Sequence, residues 1–378
     1  MATGCTGILG LFGNRLHKTG FGMKKQMTIR QIAGMAGVNA STVSRVFNLD
    51  CGHSISDTIR NKVLSIAEQY EYVPKGSARS LAHGKSFNLG VILHDIEADL
   101  ASPFLSLVLS GFCREAMRGG YQMVILPVEG GDCDREVVRY IRAGNADAYL
   151  VGAPLMGSET VRELERKQIP VVTYIADTVI NQQLPNVCYF TVDNEPAFKE
   201  MFIAVKACGF DRYALFCNKS HRVNSRLNIN GSTFGVEQSE VIEFEGSIRD
   251  IAAWNTAHRA AARAIDRIMR HKLIVCSNDL IAFGLCDALR DAGIQPGKDI
   301  SVIGYDNIEG NPNFNHKSEF TIKSFLSTIE TCQAEIGRMM VQQLLKQLKM
   351  GTPSSGIIRV PAKFIARSSL GYSISKKE

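Results

Sequence analysis

Hydrophobic positions near the start of the chain repeat with a helical period. Ile29, Ile32, Ala33 and Ala36 recur at i, i+3, i+4 and i+7, one apolar stripe of a short helix. Thr28 and Gln31 bracket its first turn as a capping box, in which hydroxyl and amide each satisfy a backbone amide that the helix leaves over. Gly37 supplies a left-handed stop and Val38 turns inward. Asn39 is placed to cap a second helix, whose apolar side is Val43, Val46 and Phe47. Ser56 caps a third, with Ile59, Val63, Ile66 or Ala67, and Tyr70 as its buried face, and it ends before Pro74. Two short helices joined by a tight glycine turn make a helix-turn-helix.

From Leu89 the period changes. Apolar runs at 89–93, 123–126, 148–151 and 171–174 read as buried parallel strands, with helices near 104–118, 134–143 and 158–167 between them. The alternation then restarts at 187–192 and continues through 213–217, 241–244, 273–276 and 300–303. Two successive runs of βα units predict two parallel sheets, each covered by helices. Ligands of such sheets sit beyond the carboxyl ends of the strands, so two facing lobes predict a cleft.

Composition places these elements in ordinary folded domains. The chain has 378 residues, 45% hydrophobic and 21% charged, enough for two or three cores. No stretch approaches the ~20 apolar residues of a membrane span. The apolar run at 8–12 has no basic stretch before it, so no secretion signal is expected. Ten cysteines without Cys-x-x-Cys spacing predict free thiols in a reducing cytoplasm, with no metal site and no cofactor.

The net charge of +6 is local. Between Met23 and Lys85 nine Lys or Arg stand against four Asp or Glu, whereas the chain beyond Lys85 is close to neutral. A basic head on a neutral core suits a nucleic-acid partner, because phosphate contacts dominate the electrostatics of DNA binding. The second helix turns Ala40, Ser41, Thr42, Ser44 and Arg45 outward. Small side chains let the backbone approach a groove, and Arg45 can bond bidentately to a guanine edge. Thr28, Thr42, Ser44 and Asn48 suit phosphate contacts that set register.

The run Thr-Ile-Arg-Gln-Ile-Ala-Gly-Met-Ala-Gly-Val-Asn-Ala-Ser-Thr-Val-Ser-Arg-Val-Phe-Asn, residues 28 to 48, resembles the DNA-binding head of the lactose- and purine-repressor family. The resemblance implies that Ala40, Ser41 and Arg45 read bases. It extends through Tyr72-Val73-Pro74 to Ala-Arg-Ser-Leu, where it implies a hinge helix entering the minor groove with Leu81 as a wedge and Ala78, Arg79 and Ala82 beside the DNA. So short a helix is marginal alone and is expected to order only with DNA and a partner chain.

In the core, Ser277-Asn278-Asp279 follows one strand and Gly304-Tyr305-Asp306 another. Polar residues at both strand ends suit a polyol, whose paired hydroxyls need planar amides and carboxylates. Either Asn278 or Asp279 caps the following helix, and Asp279 is the favoured cap. These segments and the terminal Phe-Ile-Ala-Arg-Ser-Ser also resemble the family's periplasmic-binding-protein-like core. The resemblance implies effector contacts at His94, Arg226, Asn278 and Asp306. Trp254 has two readings, stacking on a sugar or packing a helix.

The expected organisation is therefore an all-α helix-turn-helix head followed by an α/β core of two doubly wound parallel-sheet lobes. Residues 1–22 are expected to be an unstructured extension or a mis-assigned start, 23–74 the head, 75–85 the hinge helix and 86–378 the core. Its first lobe takes about 86–189 and 321–350, and its second about 190–320 and 351–372. The resemblance implies a cytoplasmic homodimer that binds a pseudo-palindromic double-stranded operator and represses transcription under control of a small effector, a sugar or sugar derivative. A nucleobase corepressor or a phosphoprotein partner is the alternative within the family. A solute receptor would lack the basic head, and no enzyme motif such as a P-loop or a nucleophile elbow is present.

Overall fold

A computed structural model describes residues 27–47, 55–73, 80, 84–152, 155–175, 183–219, 231–246, 252–309 and 324–371. The chain divides into two compact units, Met1–Gly84 and Lys85–Glu378.

In the first unit, helix α1 spans Ile29–Ala36, α2 Ala40–Phe47 and α3 Asp57–Gln69. The capping box is formed. The Thr28 amide donates to Gln31 Oε1 at 2.9 Å and the Gln31 amide to Thr28 Oγ1 at 3.4 Å. Gly37 closes α1 at φ 71°, in the left-handed region that favours glycine, and the Val38 amide bonds back to the Ala33 carbonyl at 3.0 Å. Ile32, Val43 and Val63 are fully buried where the three helices meet. Tyr70 is not part of that core. Glu71 adopts φ 50° and reverses the chain, which leaves Tyr70 41% exposed and buries Tyr72 instead. Tyr72 packs its ring edge-on against Phe47 at 5.9 Å.

Among its described residues the second unit contains two six-stranded sheets, ordered β11-β5-β4-β3-β1-β2 and β12-β10-β9-β8-β6-β7. The first comprises β1 (Asn88–Leu93), β2 (Gln122–Pro127), β3 (Ala148–Val151), β4 (Val171–Tyr174), β5 (Val187–Asp193) and β11 (Gly356–Pro361). The second comprises β6 (Arg212–Asn218), β7 (Glu237–Phe244), β8 (Leu273–Cys276), β9 (Ser301–Asp306), β10 (Ser327–Glu330) and β12 (Lys363–Ile365). Among the described residues every strand pairing is parallel except that of β10 with β12. Strands covered on both faces read as continuous apolar runs, and β3 and β8 are buried at every position.

The Gln333–Met350 helix packs on the Pro103–Arg118 helix of the first lobe. Glycines permit this approach. A Cβ on Gly337 would overlap the Val108 carbonyl oxygen, and one on Gly111 would overlap that of Ala334.

The expected lobe boundaries need correction. The strand at 187–193 joins the first sheet rather than opening the second, so the first crossing lies between Asp193 and the Glu195–Ala207 helix. The strand at 327–330 belongs to the second sheet, which places the return near Thr331 and Cys332 rather than near residue 321. The segment after residue 350 first adds β11 to the first sheet and only then crosses to β12. The crossings are bonded to one another: the Ala362 amide donates to the Asp193 carbonyl at 2.9 Å, and Glu330 pairs with both Asp306 and Lys363. Period alone separates strands from helices. It carries no information about which sheet a strand joins.

Candidate functional site

On the head, Ser41 and Arg45 are exposed on the side of α2 away from buried Val43 and Val46. Thr42 and Ser44 are half-buried. Ala40 is also half-buried and packs against the head's core, so its face is only partly turned outward as expected. Thr28 is exposed, but its hydroxyl donates to Gln31 Oε1 at 2.9 Å as part of the cap. Asn48 and the hinge residues Ala78, Arg79, Leu81 and Ala82 lie outside the described residues, as does Arg226 of the core.

In the core, three of the four expected effector contacts are described. His94 is exposed immediately after β1, next to Asp95, whose carboxylate caps the Ile96–Ala101 helix by accepting from the Ala98 amide at 3.1 Å. Asn278 and Asp306 end up on the same sheet at the carboxyl ends of neighbouring strands β8 and β9.

The capping roles at 278 and 279 are the reverse of those expected. Asn278 leaves β8 in an extended conformation and its side-chain oxygen accepts from the Ile281 amide at 2.8 Å. Asp279, the first helical residue, instead points into the fold and is fully buried. Its Oδ1 accepts from the Thr328 hydroxyl at 2.6 Å and its Oδ2 from the Ile308 amide at 2.9 Å. Burial, with the neighbouring Asp306 adding to it, pushes this carboxyl up to about 8 against the two hydrogen bonds it accepts. Gly304 makes room for it, since a Cβ there would overlap Asp279 Oδ1.

Asp306 closes β9 at φ 109° and Asn307 follows at φ 52°, two consecutive non-glycine residues with positive φ. Such a turn persists only where its surroundings over-determine it. Here the Asn307 amide donates to Thr328 Oγ1 at 3.3 Å, the Ile308 amide to Asp279, and Gln333 Nε2 to the Asp306 carbonyl. Arg367 braces the far side. Its guanidinium donates to the Leu326 carbonyl and to Asn307 Oδ1, both at 2.8 Å, and pairs with half-buried Glu309 at 3.0 Å. The sequence singled out the segment containing Arg367 but assigned it no role. Thr328, Gln333 and Asn307 were missed, because nothing local marks a polar residue whose partners lie in other elements.

Trp254 packs a helix. Its ring stacks on Phe283 at 5.3 Å and its Nε1 donates to Asp287 at 2.8 Å. At the end of β4, Tyr174 meets Phe104 with ring centroids 5.0 Å apart.

Comparison with known proteins closes the question of kinship. Residues 87–368 match the family described as periplasmic binding proteins and sugar binding domain of LacI family, and residues 28–75 match the bacterial regulatory proteins of the lacI family. The chain belongs to the lacI family of bacterial regulators. It is thus a DNA-binding transcription regulator with a helix-turn-helix head and a receptor-like core. Among curated relatives, the HTH-type transcriptional repressor PurR of Photobacterium profundum is 25% identical over 349 residues, covering 91% of this chain and 98% of its own length. The regulator KdgR of Bacillus subtilis is 24% identical over 367 residues, covering 92% and 100%. Among solved structures, a Lac repressor dimer bound to operator and the anti-inducer ONPF superposes with a TM-score of 0.67 at 20% identity, covering 92% of this chain and 99% of that one. A complex of the regulator CelR with cellobiose gives 0.57 at 18%, covering 91% and 100%. These likenesses show the fold. The relatives are regulators, not enzymes. Among the described residues, no helix is long and apolar enough to cross a membrane.

Proposed function

We propose that this protein is a repressor that grips a pseudo-palindromic operator as a homodimer, and that a small polyhydroxylated effector held between the two core lobes sets its operator affinity. Ser41 and Arg45 read base edges, Thr42, Ser44 and Asn48 fix register on phosphates, and the 75–85 hinge wedges Leu81 into the minor groove beside Ala78, Arg79 and Ala82. His94, Arg226, Asn278 and Asp306 hold the effector. One observation carries the reading: the Asp306 carbonyl is bonded by Gln333, the first residue of the helix that follows the second crossing. A ligand that engages the Asp306 carboxylate therefore acts on a turn fastened to the joint between the lobes. For that to change operator occupancy, the effector must bind the two lobe arrangements with affinities differing by a few kcal/mol.

A nucleobase is the second reading. The Phe104–Tyr174 pair at the end of β4 favours it, since an aromatic face at a strand end suits a flat heterocycle.

Calorimetric titration of the full-length protein with D-galactose, D-ribose, cellobiose, hypoxanthine and guanine decides between them. Fluorescence anisotropy on operator and random duplexes, with and without each compound, tests the switch. Binding of sugars that shifts operator affinity supports the first reading, and binding of the bases alone supports the second. Absence of any salt-sensitive affinity for double-stranded DNA would overturn the function as a whole.

A further inference from the structure

The fully buried Asp279 carboxyl reaches two elements at once. Through Oδ2 it holds the Ile308 amide, and so the turn whose first residue is Asp306. Through Oδ1 it holds the Thr328 hydroxyl in the middle of β10, three residues before Thr331, where the chain begins its second crossing. Thr328 reaches back to the same turn by accepting from the Asn307 amide. The three bonds close a ring between the turn, the start of the Asp279–Asp291 helix and the strand that leads out of the lobe. We propose that Asp279 is the positioning residue that ties the Asp306 turn to the second crossing, so that what Asp306 binds is felt where the chain passes between lobes.

The proposal rests on reading Asp306 as an effector contact. Four further observations support it. The turn has consecutive positive φ values at Asp306 and Asn307, so it needs outside support to hold its shape. Gly304 lacks the Cβ that would push Asp279 out of place. Burial first, and the Asp306 carboxylate beside it, hold the Asp279 carboxyl up at about 8 against the bonds from Thr328 and Ile308, which lessens its negative charge next to Asp306 at neutral pH. Thr328 and Asp279 are both removed from solvent, with 0% exposure, which suits a relay rather than a ligand contact.

The test follows hydrogen–deuterium exchange in the full-length, unliganded protein. Peptides covering 304–309 and 333–337 are compared in wild type, Asp279→Asn, Thr328→Val and Thr328→Ser. Asp279→Asn and Thr328→Val are expected to raise exchange about 10-fold in both windows while the Pro103–Arg118 helix stays unchanged. Thr328→Ser, which keeps the hydroxyl, is expected to restore both. A response confined to one window, a uniform rise across the core or failure of the serine to rescue would overturn the proposal. In a second arm, wild type and Thr328→Val are incubated with D-galactose, D-ribose, cellobiose or hypoxanthine. A compound that protects both windows in wild type and only 304–309 in Thr328→Val supports the linkage, and equal protection of 333–337 in both proteins overturns it. If none of these compounds protects either window, the effector reading fails, and the exchange of the unliganded variants still decides the linkage.

Discussion

The Tyr305 hydroxyl donates to Asn194 Oδ1 at 2.7 Å. Tyr305 lies in β9 of the second sheet, and Asn194 lies where the chain leaves the first sheet at the end of β5. This bond therefore spans the first crossing, just as the bond from Gln333 to the Asp306 carbonyl spans the second. Tyr305→Phe keeps the buried ring and deletes only the hydroxyl. It is expected to cost about 1 kcal/mol of stability, the usual net value of one such bond. In a unit of this size that lowers Tm by about 2–4 °C, measurable by calorimetry, and an unchanged Tm would show the bond to be idle.

Arg45 stands exposed on α2, so its replacement should leave the head folded. Arg45→Ala is expected to weaken operator binding by about 1–3 kcal/mol and to relax base preference at one position of each half-site. Anisotropy titrations on operator and random duplexes separate the outcomes. An equal loss on both would assign Arg45 to phosphate instead.

Gly304→Ala places a methyl where Asp279 Oδ1 now lies. The core must then shift around a fully buried group, with an expected cost of about 1–3 kcal/mol. Urea denaturation measures this as a lower midpoint at unchanged slope. A midpoint equal to that of wild type would mean that the carboxyl moves aside freely.

Asp279 also makes a statement about pH. Its carboxyl titrates near 8 in the folded protein and near 3.8 as a free group, because burial disfavours the charge. The folded state therefore holds the proton more tightly across that interval, and stability falls as pH rises from about 4 to about 8. The charged neighbours that face it are Asp306, which raises it, and Arg367, which lowers it. Asp279→Asn removes this titration. Relative to wild type, its denaturation midpoint should decline less between pH 5 and pH 8, and parallel declines would refute the assignment.

Legibility differed sharply between the two units. In the head, the capping box at Thr28 and Gln31, the left-handed Gly37 and the stripe through Ile32 and Val43 are local signals, and they appear as read. Tyr70 was misplaced because the reversal at Glu71 uses a non-glycine residue, which carries no warning in composition. In the core, the strands through β9 were visible as apolar runs. Strands β10 to β12 were not, since three of the four residues of Ser327–Glu330 are polar and the other two strands are short or only partly buried. The site followed the same rule. Asn278 and Asp306 stand out at strand ends, whereas Asp279 looked like a cap because a carboxylate at a helix start ordinarily is one. Its true partners, Thr328 and Ile308, are brought to it only by the fold.

The late strands have a bearing on how the protein is made. Sheet one is finished by β11, sheet two by β10 and β12, and the Pro103–Arg118 helix receives its cover only from Gln333–Met350. On the ribosome, neither lobe can close until nearly the whole message has been translated, while the head, complete within the first compact unit, is free to fold long before. A chain cut short before residue 333 would thus carry a complete head joined to two sheets that each lack a strand.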